Sequence, residues 1–372
     1  MKKILLSSAA IVAFAGAAAA DVSFDGGSAE LSYNDMTGMA WELSTGLSFS
    51  QELNNGWTAG ASAAIEVAND NLGNTSDDHV IQFEDLELSL TSEMGGLYLG
   101  DTATAAGVNF SAPKALDGAP EADFDVNILD EDTDEVEAVL RAELTYGDYS
   151  VAVSGATGAG ATDFSHVQFS ASADLGGVTV SAAYQDADHD GLDDDGDLEN
   201  LVGAATAFAV STTLAGADLS LGYLDNGAET STGLGASYTV DALTVGAYFT
   251  SNTVADDAWG LDASYDVNEM VSVSASYESD DSWEVGVSYD AAPVTVGLTL
   301  ENDSAWDIDA TFDAGNGLTF VAGTNQDEEA YFGASYELGG DATLAIEYAK
   351  VDEADADEDF DAGTTVRLGF TF

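Results

Sequence analysis

An acidic run at residues 186–197 has the spacing of a calcium-binding loop. Asp186, Asp188 and Asp190 occupy positions 1, 3 and 5, a glycine follows at position 6, and Asp197 stands at position 12. Oxygen ligands at these positions build the EF-hand loop, where position 12 is usually the longer glutamate. Because the flanking segments read as strands, an EF-hand fold is excluded. The run is either a weak Ca²⁺ site or an acidic solvated loop.

Catalysis finds little support in the residue pattern. The chain contains three histidines and many serines, but no serine lies in a G-x-S-x-G context and no histidine is spaced to serve one. A catalytic site assembled across strands is the alternative. We predict that the protein is not an enzyme and requires no cofactor, with Ca²⁺ as a candidate ligand.

The charge is extreme, at −63 from 69 acidic and six basic residues. Residues 1–20 read as a secretory signal peptide, with a basic start, an apolar stretch and Ala18, Ala19 and Ala20 before the cleavage point. Removing it takes away two lysines and leaves −65 on residues 21–372. Nucleic-acid binding is therefore not expected. The acids are either an adaptation to high salt, which screens their repulsion, or a means of binding and passing cations; both can hold together.

The second half of the chain repeats a two-strand unit. Tyr238, Tyr265, Tyr289, Phe312 and Tyr336 recur at intervals of 23 to 27 residues, each followed by turn residues. Between them apolar and polar residues alternate, with aromatic residues at both ends of each apolar strip. This pattern predicts β-hairpins with an apolar face that contacts lipid and a polar face that contacts water. A β-sandwich is the alternative, but its aromatic residues need not form two rings.

Ten tight turns of this kind occur along the chain, which corresponds to 22 strands. The last segment continues the alternation, with Val366, Leu368, Phe370 and Phe372 on one face. No run of 18 apolar residues follows the signal peptide, so no transmembrane helix is expected. We therefore predict an all-β fold, a closed antiparallel transmembrane β-barrel with an even number of strands between 16 and 22, occupying residues 21–372.

One connection, at residues 104–135, is far longer than the others. It holds two of the three prolines and a series of charged residues, and long loops in compact folds are usually functional. Its charged residues include Lys114, Asp117, Glu121, Asp123 and Asp125.

This connection and its surroundings resemble the alpha-proteobacterial general porins. The resemblance rests on G-D-T at residues 100–102, R-A-E-L-T-Y-G-D-Y at residues 141–149 and the final Phe372. It implies a barrel of usually 16 strands, a long loop folded inward to narrow a channel, and a homotrimer in the outer membrane of a Gram-negative bacterium. Contacts with outer-membrane lipid and lipopolysaccharide would follow. Such porins often set a cluster of lumen arginines against the acids of the loop, and this chain lacks that cluster.

Strand alternation predicts which charged residues line the lumen. We expect the pore to be lined by Arg141, Arg367, Glu137, Glu143, Asp262, Asp307 and Asp309. Acids outnumber bases among them, so the lumen potential should be negative and should concentrate cations. The predicted function is passive diffusion of small hydrophilic solutes and cations. The alternative is a non-transporting barrel that acts as an adhesin or structural tether.

Overall fold

The computed structural model describes residues 21–53, 56–69, 80–117, 119, 138–157, 165–186, 204–327, 329–350, 360 and 362–372. Within these residues the first eleven strands are β1 Asp21–Asn34, β2 Gly38–Glu52, β3 Thr58–Asn69, β4 Val80–Ser92, β5 Gly95–Gly100, β6 Ala138–Tyr146, β7 Tyr149–Thr157, β8 Ser165–Asp174, β9 Val178–Gln185, β10 Ala205–Leu214 and β11 Ala217–Asp225. The others are β12 Thr230–Val240, β13 Leu243–Asn252, β14 Ala258–Asn268, β15 Val271–Glu278, β16 Trp283–Ala291, β17 Val294–Glu301, β18 Trp306–Gly315, β19 Leu318–Asn325, β20 Ala330–Glu337, β21 Ala342–Ala349 and β22 Gly363–Thr371.

Each strand pairs with its sequence neighbours in antiparallel register, and β22 pairs with β1. The last pairing runs from Ser28 opposite Thr371 to Asn34 opposite Thr365. The sheet is therefore a closed barrel without free edges, which satisfies the backbone hydrogen bonds that lipid cannot. The predicted fold class is confirmed. The described strands number 22, the turn-based value, rather than the 16 usual in the resembling family.

The predicted alternation of faces is also confirmed. Large apolar side chains on successive strands are exposed on the outer face, including Trp259, Leu261 and Tyr265 of β14. On β22 the outward Val366 and Phe370 are exposed, whereas the inward Thr365 is buried. Exposed aromatic residues stand towards both ends of the apolar strips of β14 and β16, as Trp259 and Tyr265 and as Trp283 and Tyr289, which is the placement expected for the aromatic girdles of a membrane barrel.

Connections at the two ends of the barrel differ in length. At one end, β-strands are joined by short turns such as residues 215–216, 241–242 and 292–293. At the other end lie longer connections, such as those between β5 and β6 and between β21 and β22. The turn between β4 and β5 falls at residues 93–94, and Gly95 and Gly96 belong to β5.

Within the described residues, no helix has the length and apolar character needed to cross a membrane. The short helix α1, Ala105–Asn109, and a 3-10 turn, Lys114–Leu116, both belong to the connection after β5. A second 3-10 turn, Asn302–Ser304, joins β17 to β18.

Candidate functional site on the inner wall

The connection after β5, described at residues 101–117 and 119 and here called the loop, turns into the barrel at Gly100. This glycine has φ +123°, and a Cβ there would overlap the carbonyl oxygen of Leu86. Glycine is therefore required where the chain leaves the wall. The backbone N–H of Asp101 donates to the same Leu86 oxygen at 2.9 Å. The departure point of the loop is thus fixed by β4.

Helix α1 lies against the inner face of β7 to β9. The Ala105 N–H donates to Ser154 Oγ at 2.8 Å, and the Ala106 N–H donates to Gln168 Oε1 at 3.0 Å. Asn109 Nδ2 donates to Ser170 Oγ at 2.9 Å, and Ser170 Oγ donates to the Ala105 carbonyl. The bonds from Ala105 and Ala106 satisfy N–H groups at the start of the helix, which have no partner within the helix itself.

The 3-10 turn lies in a shallow seat of glycines on β11 and β12. Gly222 and Gly233 are paired across the two strands. A Cβ at Gly222 would lie on the side chain of Leu116, and one at Gly233 would overlap the carbonyl of Ala115. The absence of side chains at these positions lets the loop backbone approach the wall.

Two hydroxyl groups hold the same turn. Ser220 Oγ accepts from the Ala115 N–H at 3.2 Å, and Thr250 Oγ1 donates to the Ala115 carbonyl at 3.0 Å. Both backbone polar groups of Ala115 are therefore satisfied by the wall, although the residue is fully buried. A buried loop needs such partners, because an unpaired backbone group is costly.

An apolar cluster fills the space between loop and wall. Its buried members come from the loop and from β9 to β11: Ala106, Leu116, Ala183, Ala205, Ala207 and Leu224. It explains why the inner face carries alanine and leucine at these positions, where a water-filled barrel would otherwise carry polar residues.

Arg141 on β6 contacts the first residues of the loop, Thr102 and Ala103, here called its root. Its Nη1 donates to Thr102 Oγ1 at 2.9 Å and to the carbonyl of Ala103. Its Nε lies 2.6 Å from Glu143 Oε1, and its guanidinium carbon lies 4.4 Å from the ring centroid of Tyr98. With 6% exposure, Arg141 is on the inner face but beneath the loop rather than facing open water.

Lys114 at the other end of the described loop reaches β14. Its Nζ lies 2.5 Å from Asp262 Oδ1 and 3.7 Å from Asp117 Oδ2, and 5.8 Å from the ring centroid of Tyr248. Burial alone would lower the pKa of Lys114, but the two carboxylates raise it. Burial raises the pKa of Asp117, and Lys114 partly opposes this.

The strands that receive the loop carry few acids on their inner face, and the strands beyond them carry many. On the described inner face of β7 to β13, acids occur at the turn end, as Asp174 and Asp218. Strand register places a larger set on the inner face of β14 to β21, here called the acidic wall: Asp262, Asp266, Glu278, Glu284, Asp290, Glu301, Asp307, Asp309, Asp313, Glu337 and Glu347.

Glycines on neighbouring strands let the acidic side chains lie along the wall. Asp262 is paired with Gly246, and Asp309 with Gly297. A Cβ at either glycine would collide with the carboxylate opposite. These carboxylates therefore lie close along the wall, over the glycines of the neighbouring strands.

The predicted lumen bases have acidic partners. Arg367 Nε lies 3.1 Å from Glu347 Oε2 on the neighbouring strand, in addition to the pairs of Arg141 with Glu143 and Lys114 with Asp262. Asp307 and Asp309 lie on the inner face of β18, and no ion pair joins them to a base within the described part of the chain.

Several predicted site residues lie outside the described residues. These are Glu137, Glu121, Asp123, Asp125, Asp188, Asp190 and Asp197. Of the candidate calcium ligands, Asp186 is described, directly after β9, and its Oδ1 accepts from Tyr184 Oη at 3.4 Å. Among the described residues, no group of three or more His, Cys, Asp or Glu side chains is arranged to hold a metal ion.

A cavity of about 630 Å³ lies between the loop and the turn end of the wall. Hydroxyl groups dominate its polar lining, among them Ser111, Thr179, Ser181, Ser211 and Ser237. Such groups both donate and accept hydrogen bonds. Water and small polar solutes in the cavity can therefore form hydrogen bonds with uncharged side chains.

Sequence reasoning missed the residues that seat the loop. Gly222, Gly233, Ser220 and Thr250 belong to types that are abundant throughout the chain. One available signal was the break in polar alternation at Ala205 and Ala207, where an inward face turns apolar.

Comparison with known proteins identifies a family that covers most of the chain. The family model described as Gram-negative porin matches residues 7–362. A five-site variant of Rh. blastica porin is 17% identical over 76% of this chain and 100% of that chain, with a TM-score of 0.41. A triple mutant of Rhodopseudomonas blastica porin is 15% identical over 95% of this chain and 100% of that chain, with a TM-score of 0.29. No curated protein matches the chain.

Proposed function

The chain belongs to the Gram-negative porin family, whose members are outer-membrane channels, and we propose that its channel passes small hydrophilic solutes with a preference for cations. The observation that carries this proposal is the acidic wall, which lies on strands beyond those that seat the loop and which the loop reaches at Asp262 through Lys114. A charged channel surrounded by low-dielectric material focuses its field and concentrates counter-ions.

The placement of the bases supports the same preference. Lys114, Arg141 and Arg367 each lie within 4 Å of a carboxylate. Each positive charge is therefore largely compensated by a negative charge next to it. Asp307 and Asp309 are not neutralised in this way by the described bases. The resulting surplus of negative charge on the inner face favours cations over anions.

The uncharged part of the lumen supports passage without tight binding. Serine, threonine and glycine dominate the described inner face of β10 to β13 beyond the apolar cluster. The serine and threonine hydroxyl groups can form the hydrogen bonds that water would otherwise form with a solute, without holding the solute tightly. Selection would then follow size and charge. The reading of the acids as an adaptation to high salt remains compatible with this, because it concerns solubility and not the lumen.

Reversal potential across a KCl gradient in a planar bilayer tests the cation preference. We expect a potential of the sign for cation selectivity, larger at low salt, where the Debye length is roughly 10 Å or more. The opposite sign would overturn the preference while leaving the channel intact. Folded protein that gives no conductance steps would instead favour the alternative, an adhesin or structural tether.

The remaining parts of the proposal concern assembly and processing. We propose a homotrimer in contact with outer-membrane lipid and lipopolysaccharide, exported through cleavage after residue 20, and without enzymatic activity. Crosslinking of the native membrane tests the first, because a ladder ending at three protomers is expected. The mass of the mature chain tests the cleavage point.

A further inference from the structure

We propose that Arg141 is a positioning residue that fixes the root of the loop, and that its charge contributes little to ion selection. This inference goes beyond the channel function and uses it only for one of its readouts. It rests on the contacts of a single side chain with two strands and the loop.

Arg141 holds loop residues that lie beyond the backbone pairing of β5 with β6. It stands on β6, faces the Tyr98 ring of β5, and donates to Thr102 and Ala103 where the loop leaves the wall. The loop at this point has left the ladder, since the described β5 ends at Gly100. The guanidinium thus donates hydrogen bonds to loop residues that, within the described part of the chain, no longer form backbone hydrogen bonds with a neighbouring strand.

The burial of Arg141 raises the free-energy cost of losing these contacts. At 6% exposure Arg141 is shielded from water, so a lost hydrogen bond is not replaced by solvent. Hydrogen bonds to charged groups are stronger than neutral ones, and leaving a buried partner unsatisfied adds a further cost. The pair with Glu143 at 2.6 Å keeps the buried charge compensated.

The geometry requires the guanidinium and not merely a positive charge. The planar fork directs one nitrogen at the loop while another faces Glu143, and its flat face lies over Tyr98. A lysine has a single ammonium on a flexible stem and cannot reproduce this arrangement. The same cancellation by Glu143 means that the net charge reaching the lumen from the pair is close to zero.

The test compares Arg141→Lys and Arg141→Met with a spin label on the loop. The chain contains no cysteine, so Ser111→Cys gives a single labelling site on the exposed part of the loop. In folded barrels, we expect both variants to raise the mobile fraction of the label by roughly tenfold or more, because one lost charge-assisted hydrogen bond gives about that factor and Arg141 donates two to the loop. Arg367→Lys is the matched control, because Arg367 pairs with Glu347 on β21, and label mobility should stay at the parent value.

A charge role gives a different pattern. If Arg141 acted through its charge, Arg141→Lys would match the parent in label mobility, and that result would overturn the proposal. Thr102→Ala should add little to the mobility already caused by Arg141→Lys, because the bond between Thr102 and Arg141 is then already lost; full additivity would also contradict the proposal. The reversal potential of a variant with both Arg141→Met and Glu143→Gln, which removes the two opposite charges together, should equal that of the parent; a shift would contradict the inference that this pair contributes little net charge to the lumen. Since label mobility is read without any current, the proposal can fail or hold independently of the channel function.

Discussion

Replacing Gly233 with alanine should force the loop off its seat. An ideal Cβ at this position lies 1.6 Å from the carbonyl oxygen of Ala115, whereas ordinary contact begins at 3.4 Å, so the two must separate by about 1.8 Å (3.4 minus 1.6). Strand β12 is paired on both sides and cannot yield easily. The turn must therefore move into the lumen.

This movement breaks two bonds. The Ala115 carbonyl loses Thr250 and its N–H loses Ser220. At about 1 kcal/mol net for each hydrogen bond, the seated state loses about 2 kcal/mol, which is a roughly 30-fold change in its population. Leu116 also leaves the apolar cluster, so the figure is a lower bound.

Single-channel recording in a planar bilayer measures the outcome. We expect Gly233→Ala to show lower conductance and more open-channel noise, because the turn is displaced into the water-filled space. Gly369→Ala is the matched control, since this glycine is on the inner wall of β22 and a Cβ there meets nothing within 4 Å. If Gly233→Ala and Gly369→Ala give the same current as the parent, the loop does not rest on this seat.

Three further outcomes follow from the charged groups. Asp307→Asn with Asp309→Asn should reduce the cation-selective reversal potential, because it removes carboxylates that described bases do not neutralise; an unchanged potential would show that they do not influence permeating ions. As pH falls, Asp117 should lose its negative charge at a higher pH than an ordinary aspartate, because burial raises its pKa, and cation preference should weaken with that loss; Asp117→Asn should remove this contribution, and a profile identical to the parent would contradict it. Calcium calorimetry should give weak heat that Asp188→Asn with Asp190→Asn abolishes, and heat equal to the parent would exclude the site at residues 186–197.

Much of the barrel could be predicted because its strands obey a local rule. In each alternating segment, such as Trp259 to Tyr265, the local sequence alone indicates which side chains lie on the outer face and which on the inner face. The short turns at one end then give the strand number directly, which is why counting turns reached 22 while family resemblance suggested 16.

The loop seat could not be predicted in the same way. Gly233 and Thr250 are ordinary inward residues on their own strands, and they become a seat because residues more than a hundred positions earlier lie on them. Alternation placed Arg141 on the inner face but carried no information on what would cover it. Contacts between a loop and a distant wall depend on the closed barrel, which no local pattern describes.

The pairing of β1 with β22 also constrains the order of folding. Most contacts in the barrel join strands that follow one another in the chain, but this seam joins residues separated by more than 300 positions, with Asn34 Nδ2 donating to Thr365 Oγ1 and to the Ala362 carbonyl. Hairpins between neighbours close short loops and form at low entropic cost, whereas the seam requires the two extremities of the sheet to meet. Closure is therefore a late event, and changes to Asn34 should act mainly by speeding the opening of the finished barrel rather than by slowing its assembly.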